Sequence, residues 1–206
     1  QEDLLRRDFT INAMAYNEKE GLVDIFGGMD DLKAGIIRCV GNAQARFSED
    51  ALRILRGIRF AAQLGFELED ETREGMRLLA PTLRKISAER IQVELVKTLT
   101  SSRPDLLREA WKLGITKEFL PEFDLAMETT QETVHHMYTV GEHILHTLLE
   151  VRPDRILRLT MLLHDIGKPY MKTMDADGVA HFKGHPEKSS ELANEILHRL
   201  KFDNDT

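Results

Sequence analysis

Three groups of residues in this chain have types and spacings that suit chemistry. The first is Arg6-Arg7-Asp8, which leads into the run Phe9-Thr10-Ile11-Asn12-Ala13-Met14-Ala15-Tyr16. Arginine forks match phosphate oxygens, and an aspartate accepts from a ribose hydroxyl. Asn12 is placed to tie this loop down. The second group is Asp50 with Arg53. Three apart on a helix, they share a face. A carboxylate only accepts hydrogen bonds and a guanidinium only donates them. Cytosine and adenine present an exocyclic amine beside an unprotonated ring nitrogen, whereas guanine and uracil present a carbonyl beside a ring N–H. An Asp–Arg pair therefore suits C and A and rejects G and U, at about 1–3 kcal/mol for each mispaired buried group. The plain alternative is a solvated helix ion pair worth about 0.2–0.5 kcal/mol. Arg56 and Arg59 follow on the same stretch and either extend this set or act as surface or strut residues.

The third group is His143, His164-Asp165 and His185. The His164-Asp165 pair closes an apolar helix just before Gly167. Charge in such a place is costly unless it is paired or bound to metal. Imidazole with carboxylate suits Zn, Mn, Ni, Fe or Mg, so ligand type does not choose the ion.

The elements that must position these residues can be read from spacing. Short apolar runs at 13–16 and 22–26 flank polar Asn17-Glu18-Lys19-Glu20-Gly21, a hairpin signal. Gly27-Gly28 ends the second strand, and 36–40 is a further strand-like run. From residue 47 to 121 the pattern is helical. Ser48 is the expected N-cap, with Glu49 and Asp50 in the first turn and Ala51, Leu55, Ile58 and Ala62 facing the core. Gly65 stops this helix. Ser87 caps a second one through Leu99, and Pro104 and Gly114 frame a third. Pro121 marks a boundary. A helix over 137–150 buries Val140, Ile144 and Leu148, and Asp154 caps the apolar helix leading to His164. Asp177-Gly178 is a turn between short strands, and Pro186 opens a last helix carrying Leu192, Ile196 and Leu200.

Composition is that of an ordinary globular protein, 42% hydrophobic and 31% charged, and no apolar run is long enough to span a membrane. The lone cysteine, Cys39, cannot form an internal disulfide, which points to a reducing, cytoplasmic setting. The net charge of −7 is unevenly spread: residues 1–121 hold 19 Lys+Arg against 20 Asp+Glu, and residues 122–206 hold 9 against 15. A phosphate-bearing partner should meet the N-terminal part first.

Several stretches in order resemble the transfer RNA CCA-adding nucleotidyltransferases and their poly(A) polymerase relatives. They are Arg6 to Ala13, Val23-Asp24-Ile25-Phe26-Gly27-Gly28 with Asp31-Leu32, Arg38 to Gly41, Phe47 to Arg56 with Arg59-Phe60, and Ser87-Ala88-Glu89-Arg90-Ile91. The segments around His143, His164-Asp165 and His185 are similar to the HD phosphohydrolase superfamily. The resemblance implies a mostly α chain. Residues 1–45 would end an α/β nucleotidyltransferase head with short antiparallel strands, 46–121 would form a helical neck, and 122–206 an incomplete HD-type domain.

It implies CMP and AMP addition from CTP and ATP to the 3′ end of tRNA. Arg6, Arg7, Asp8, Asn12, Asp50, Arg53, Arg56 and Arg59 would bind nucleotide. The two Mg2+-holding catalytic carboxylates would lie upstream, leaving no catalytic residue here and no transfer by this chain alone; Asp24, Asp30 and Asp31 follow the first motif rather than precede it. His143, His164 and Asp165 would ligate a divalent transition metal, with His185 a phosphate contact or second-metal ligand. A last aspartate ligand is expected beyond Thr206, since Asp203 and Asp205 come too early. Other readings are an HD-type metal-dependent phosphohydrolase, a poly(A) polymerase relative and a non-enzymatic RNA-binding scaffold.

Overall fold

The structure, a computed structural model, describes residues 2–132, 138–203 and 206. Asp205, set aside above as a metal ligand, lies outside the described residues, as do His135 and His136. The chain is mostly α, as expected, and its strands are short. A four-residue helix α1 (Glu2–Leu5) leads into Arg6-Arg7-Asp8 and a 3-10 turn at Thr10–Asn12. Strands β1 (Met14–Asn17) and β2 (Gly21–Asp24) pair antiparallel with Tyr16 opposite Leu22. The Asn17 side chain accepts from the Lys19 and Glu20 amides and closes the turn.

Helix α2 (Gly28–Ala34) begins where the Asp24 carboxylate accepts from the amides of Gly28 and Met29. Asp24 thus satisfies the first free amides of α2, a structural task for this carboxylate. A Cβ on Gly28 would lie 2.2 Å from the Thr10 carbonyl oxygen, so only glycine lets α2 press on the Arg6–Asn12 loop. The strand β3 (Ile36–Ile37) corrects one expectation: it pairs in parallel with β4 (Glu67–Leu68), so the strand pairs are not all antiparallel.

Helix α3 (Ala43–Glu49) is capped by Asn42, whose side chain accepts from the Ala45 amide. Ser48 is therefore no N-cap. It sits inside α3 with its hydroxyl turned onto the Gln44 carbonyl. The chain then breaks at Asp50, with φ −150° and ψ 106°, before α4 (Leu52–Leu64). Asp50 caps α4 from outside by accepting from the Leu52 amide. Ala51, Leu55, Ile58 and Ala62 are buried as their spacing predicts, and Gly65 ends α4 in the left-handed region at φ 70°.

Helix α5 (Asp70–Leu79), a 3-10 turn at Ala80–Lys85 and α6 (Ala88–Leu99) follow. Helix α6 packs along α4 and buries Ile91, Leu95 and Leu99. Next come α7 (Leu107–Lys112), α8 (Pro121–Glu128), α9 (Val140–Glu150) and α10 (Arg155–Leu163). Asp154 caps α10 by accepting from the Leu157 amide. Arg158, inside the apolar stretch of α10, is buried at 5% exposure and donates to the carbonyls of Leu99 and Arg152, so its polar head is satisfied. The last elements are α11 (Lys168–Met171), the antiparallel pair β5 (Thr173–Met174) and β6 (Ala180–His181), and α12 (His185–Arg199). One apolar core runs from Phe9 through α4, α6, α9 and α10 to Phe202. Among the described residues no helix is long and apolar enough to cross a membrane.

Candidate functional site

The break at Asp50 decides how the first site is built. Because Asp50 is extended and Arg53 helical, they are not a side-chain pair on one helical face; the link between them is the Arg53 amide donating to the Asp50 carbonyl at 3.1 Å. Each side chain holds other partners. Asp50 Oδ1 accepts from the Leu52 amide at 3.1 Å, and Oδ2 accepts from Arg90 Nη2 at 2.8 Å. Arg53 Nη1 donates to Glu49 Oε2 at 2.6 Å and to the Arg46 carbonyl at 2.9 Å. Its Nη2 donates to the Arg6 carbonyl at 3.1 Å. Donors on Arg53 and acceptor lone pairs on Asp50 remain unspent.

The Arg6–Asn12 loop is pinned against α4 from beneath. Arg56 Nε donates to Asp8 Oδ2 at 2.5 Å, and Asn12 Nδ2 donates to Asp8 Oδ1 at 2.7 Å. Burial alone would raise the Asp8 carboxyl, but the Arg56 contact and the Asn12 amide outweigh it and hold Asp8 below the usual carboxylate range. Asp8 is 5% exposed, with both oxygens engaged, so it is the anchor of this loop. The Arg6 and Arg7 side chains stand exposed above it, Arg7 beside Asp3 at 3.3 Å. Arg59 does not join the group. It is buried, donates from Nε to Glu94 at 2.5 Å and from Nη1 to Gln63 at 2.9 Å, and lies 4.0 Å from the Phe60 ring centroid. It ties α4 to α6. Beside Asp50 opens a cavity of about 560 Å³, lined among others by Ser48, Glu49, Thr82, Lys85 and Arg90.

The second site gathers around one buried carboxylate. His143 comes from α9, His164-Asp165 from the turn that follows α10, and His185 from the start of α12. Asp165 Oδ2 lies 3.4 Å from His143 Nε2 and 3.3 Å from His164 Nε2, and Oδ1 lies 3.5 Å from His185 Nε2. The ligand atoms of His143, His164 and Asp165 all fall within 4.8 Å of one another. Two ligands each about 2.1 Å from a tetrahedral metal stand about 3.4 Å apart, so the carboxylate-to-imidazole edges fit a bound ion.

The tautomers fit too. The Met161 carbonyl lies 2.7 Å from His164 Nδ1 and the Phe182 carbonyl 2.8 Å from His185 Nδ1. A carbonyl only accepts, so each Nδ1 carries the proton and each Nε2 faces Asp165 with its lone pair or a second proton. Burial pushes His164 down, but Asp165 outweighs it and the net shift is upward. Burial likewise pushes Asp165 up, but His164 and Lys168 hold it far below the usual carboxylate range. Asp203 is held by Arg155 at 3.1 Å, away from this group.

Three partners escaped the reading of the sequence. Arg90 lies inside the Ser87–Ile91 run, where its residue type alone does not reveal the contact with Asp50. Lys168 stands three residues after Asp165 and reaches it at 2.7 Å. Gln131 holds Lys168 at 3.1 Å and carried no local signal at all.

Residues 1–38 match the family described as the poly A polymerase head domain, and residues 65–127 match the probable RNA and SrmB-binding site of polymerase A. The chain is 52% identical over 197 residues to the CCA-adding enzyme of Leuconostoc mesenteroides, covering 92% of this chain and 48% of that protein. It is 40% identical over 214 residues to the A-adding tRNA nucleotidyltransferase of Deinococcus radiodurans, covering 98% and 48%. Among solved structures it is similar to the Thermotoga maritima CCA-adding enzyme complexed with tRNA, with a TM-score of 0.63 and 26% identity over 99% of this chain and 45% of that one. It also resembles the Bacillus stearothermophilus CCA-adding enzyme in complex with CTP, with a TM-score of 0.53 and 26% identity over 96% and 59%.

The match to a head-domain segment followed by the match to a probable RNA-binding segment defines the polymerase A class of proteins. Within that class, the chain belongs to the family of CCA-adding enzymes and poly(A) polymerases. It spans about half the length of the curated relatives it matches.

Proposed function

We propose that this chain is the nucleotide-selecting part of a tRNA nucleotidyltransferase that adds CMP and AMP from CTP and ATP to the tRNA 3′ end. The observation that carries this is the meeting of two distant motifs: Arg53 grips the Arg6 backbone, and Arg56 grips Asp8. Base reader and phosphate arginines are thereby built as one unit. In this reading Asp50 accepts the exocyclic amine of cytosine or adenine, and Arg53 donates to the adjacent ring nitrogen. Guanine and uracil would leave that carboxylate facing a carbonyl. Arg6 and Arg7 hold triphosphate, while Asp8 and Asn12 fix the loop that carries them. Arg56 acts through Asp8.

Transfer itself needs divalent metal, Mg2+ held by carboxylates that we assign to parts of the intact protein other than residues 1–206. The higher identity to a CCA-adding enzyme than to an A-adding one favours C-then-A addition over A alone. The test is nucleotide binding. CTP and ATP should bind the chain more tightly than GTP and UTP, and Arg53→Ala should weaken that binding at least about tenfold. Equal binding of all four nucleotides would overturn the reading.

A second reading concerns the histidine cluster. His143, His164 and Asp165, with His185 beside them, would hold a divalent ion such as Ni2+, Mn2+, Zn2+ or Fe2+. The facing Nε2 atoms around one carboxylate favour this. A bound ion there would act as a Lewis acid toward a phosphate ester. Calorimetric titration with Mn2+ or Ni2+ checks it, and His164→Ala should abolish binding.

A further inference from the structure

Among the described residues, Lys168 carries its ammonium into the histidine cluster. Its ammonium lies 2.7 Å from Asp165 Oδ2, the same oxygen that faces His143 and His164. It is 8% exposed and is held from the other side by Gln131 Oε1 at 3.1 Å. The Phe182 ring centroid lies 5.7 Å from it, so the side chain has an aromatic wall as well. Lys168 opens α11, and its amide donates to the Asp165 carbonyl at 3.0 Å, which fixes the backbone of the two residues together. A side chain so enclosed gives up its Gln131 and Asp165 contacts if it moves away when a second cation arrives.

We infer that Lys168 is a tethered counter-ion that limits how tightly the His143–His164–Asp165 cluster holds a divalent cation. The inference rests on reading that cluster as a metal site. Any ion ligated through Asp165 Oδ2 meets the ammonium on the same oxygen. Either the ammonium is displaced from Oδ2, losing a charge-assisted hydrogen bond, or two positive centres share one carboxylate oxygen in a water-poor pocket. Both routes weaken metal binding. With no metal bound, the Lys168 ammonium neutralises Asp165, which lets a buried carboxylate persist without an ion.

The experiment is isothermal titration of the full chain with Mn2+ and Ni2+, paired with the melting-temperature rise on adding each ion. Lys168→Gln keeps a donor toward Asp165 and removes the charge; Lys168→Met removes both. Lys168→Gln should bind at least about tenfold more tightly than the unsubstituted chain and show the larger metal-induced rise in Tm. Lys168→Met should do the same, and circular dichroism shows which variants are folded. Binding no tighter than that of the unsubstituted chain in the folded variants, while His164→Ala still loses the metal, would overturn the role of Lys168 alone. Retention of full metal affinity by His164→Ala would instead overturn the metal site on which the inference stands.

Discussion

Arg53 donates to the main-chain carbonyl of Arg6, 47 residues earlier, at 3.1 Å. This contact joins the first turn of α4 to the loop bearing two exposed arginines. It predicts a particular phenotype for Arg53. Replacing it with alanine releases the Arg6 backbone and, on the proposed reading, also removes the base contact. Affinity for CTP and for ATP should fall together, by about 1.5–3 kcal/mol or about 10- to 150-fold. Arg53→Lys should recover little, because one ammonium cannot reach Glu49, Arg46 and Arg6 at once. Equilibrium binding with labelled nucleotides measures both variants.

Arg90 should act on selection more than on affinity. It holds Asp50 Oδ2 at 2.8 Å, but its side chain is half exposed, so the pair adds at most about 1 kcal/mol to stability. Without it, the Asp50 carboxylate keeps only its Leu52 tether and turns more freely. Arg90→Ala should narrow the preference for CTP and ATP over GTP and UTP, with a Tm close to that of the parent. A competition assay with all four nucleotides reads the change directly.

Asp8 predicts an acid sensitivity of the N-terminal loop. Its folded pKa is lowered, so its stabilising contribution is complete above the ordinary carboxylate range and fades as pH falls through the folded value. Asp8→Asn should cost about 1–3 kcal/mol at pH 7, since it leaves Arg56 without its partner. That difference should shrink steadily below about pH 4, where the unfolded parent takes up its proton. Urea denaturation of both proteins from pH 7 to pH 3 gives the two curves.

Arg59 should prove a structural residue. Its partner Glu94 is buried at 5% exposure, and their contact bridges α4 and α6. Arg59→Ala leaves a buried charge uncompensated and should destabilise by about 3–5 kcal/mol. The double change Arg59→Met with Glu94→Leu should regain most of that loss. Nucleotide affinity of the doubly substituted, folded protein should match that of the parent. A loss of affinity there would put Arg59 back among the nucleotide contacts.

Much of this fold was legible because it is local. Apolar spacing placed Ala51, Leu55, Ile58 and Ala62 on the core side of α4, and Asp154 announced the start of α10. The Asn17 turn and the histidine positions were equally plain. The Asp50 break was not. Ser48, Glu49 and Asp50 read as a good helix start, yet Asn42 starts the helix and α6 competes for the Asp50 side chain. The parallel β3–β4 pair spans two residues on each side, too few to show a period. The partners of Asp50 and of Lys168 lie 40 and 37 residues away, and long-range choice of that kind leaves no mark in a local window.

Gly167 offers a test that separates the two sites. A Cβ there would lie 2.5 Å from the Ser189 amide nitrogen and 2.8 Å from the His185 carbonyl oxygen. These atoms belong to the first turns of α12, and the Gly167 amide already donates to Ser189 Oγ at 2.9 Å. The turn carrying His164-Asp165 can thus dock on the helix carrying His185 only if residue 167 has no side chain. Gly167→Ala must push α12 away or bend the turn, at about 1–3 kcal/mol. Either shift spreads the Nε2 atoms around Asp165, so Mn2+ or Ni2+ binding should weaken sharply. The Arg6–Arg53 contact shares no residue with this turn, and CTP affinity should stay unchanged. Titrating one purified variant with metal and then with CTP tests both halves, and a parallel loss of CTP affinity would show that the two sites do not stand apart.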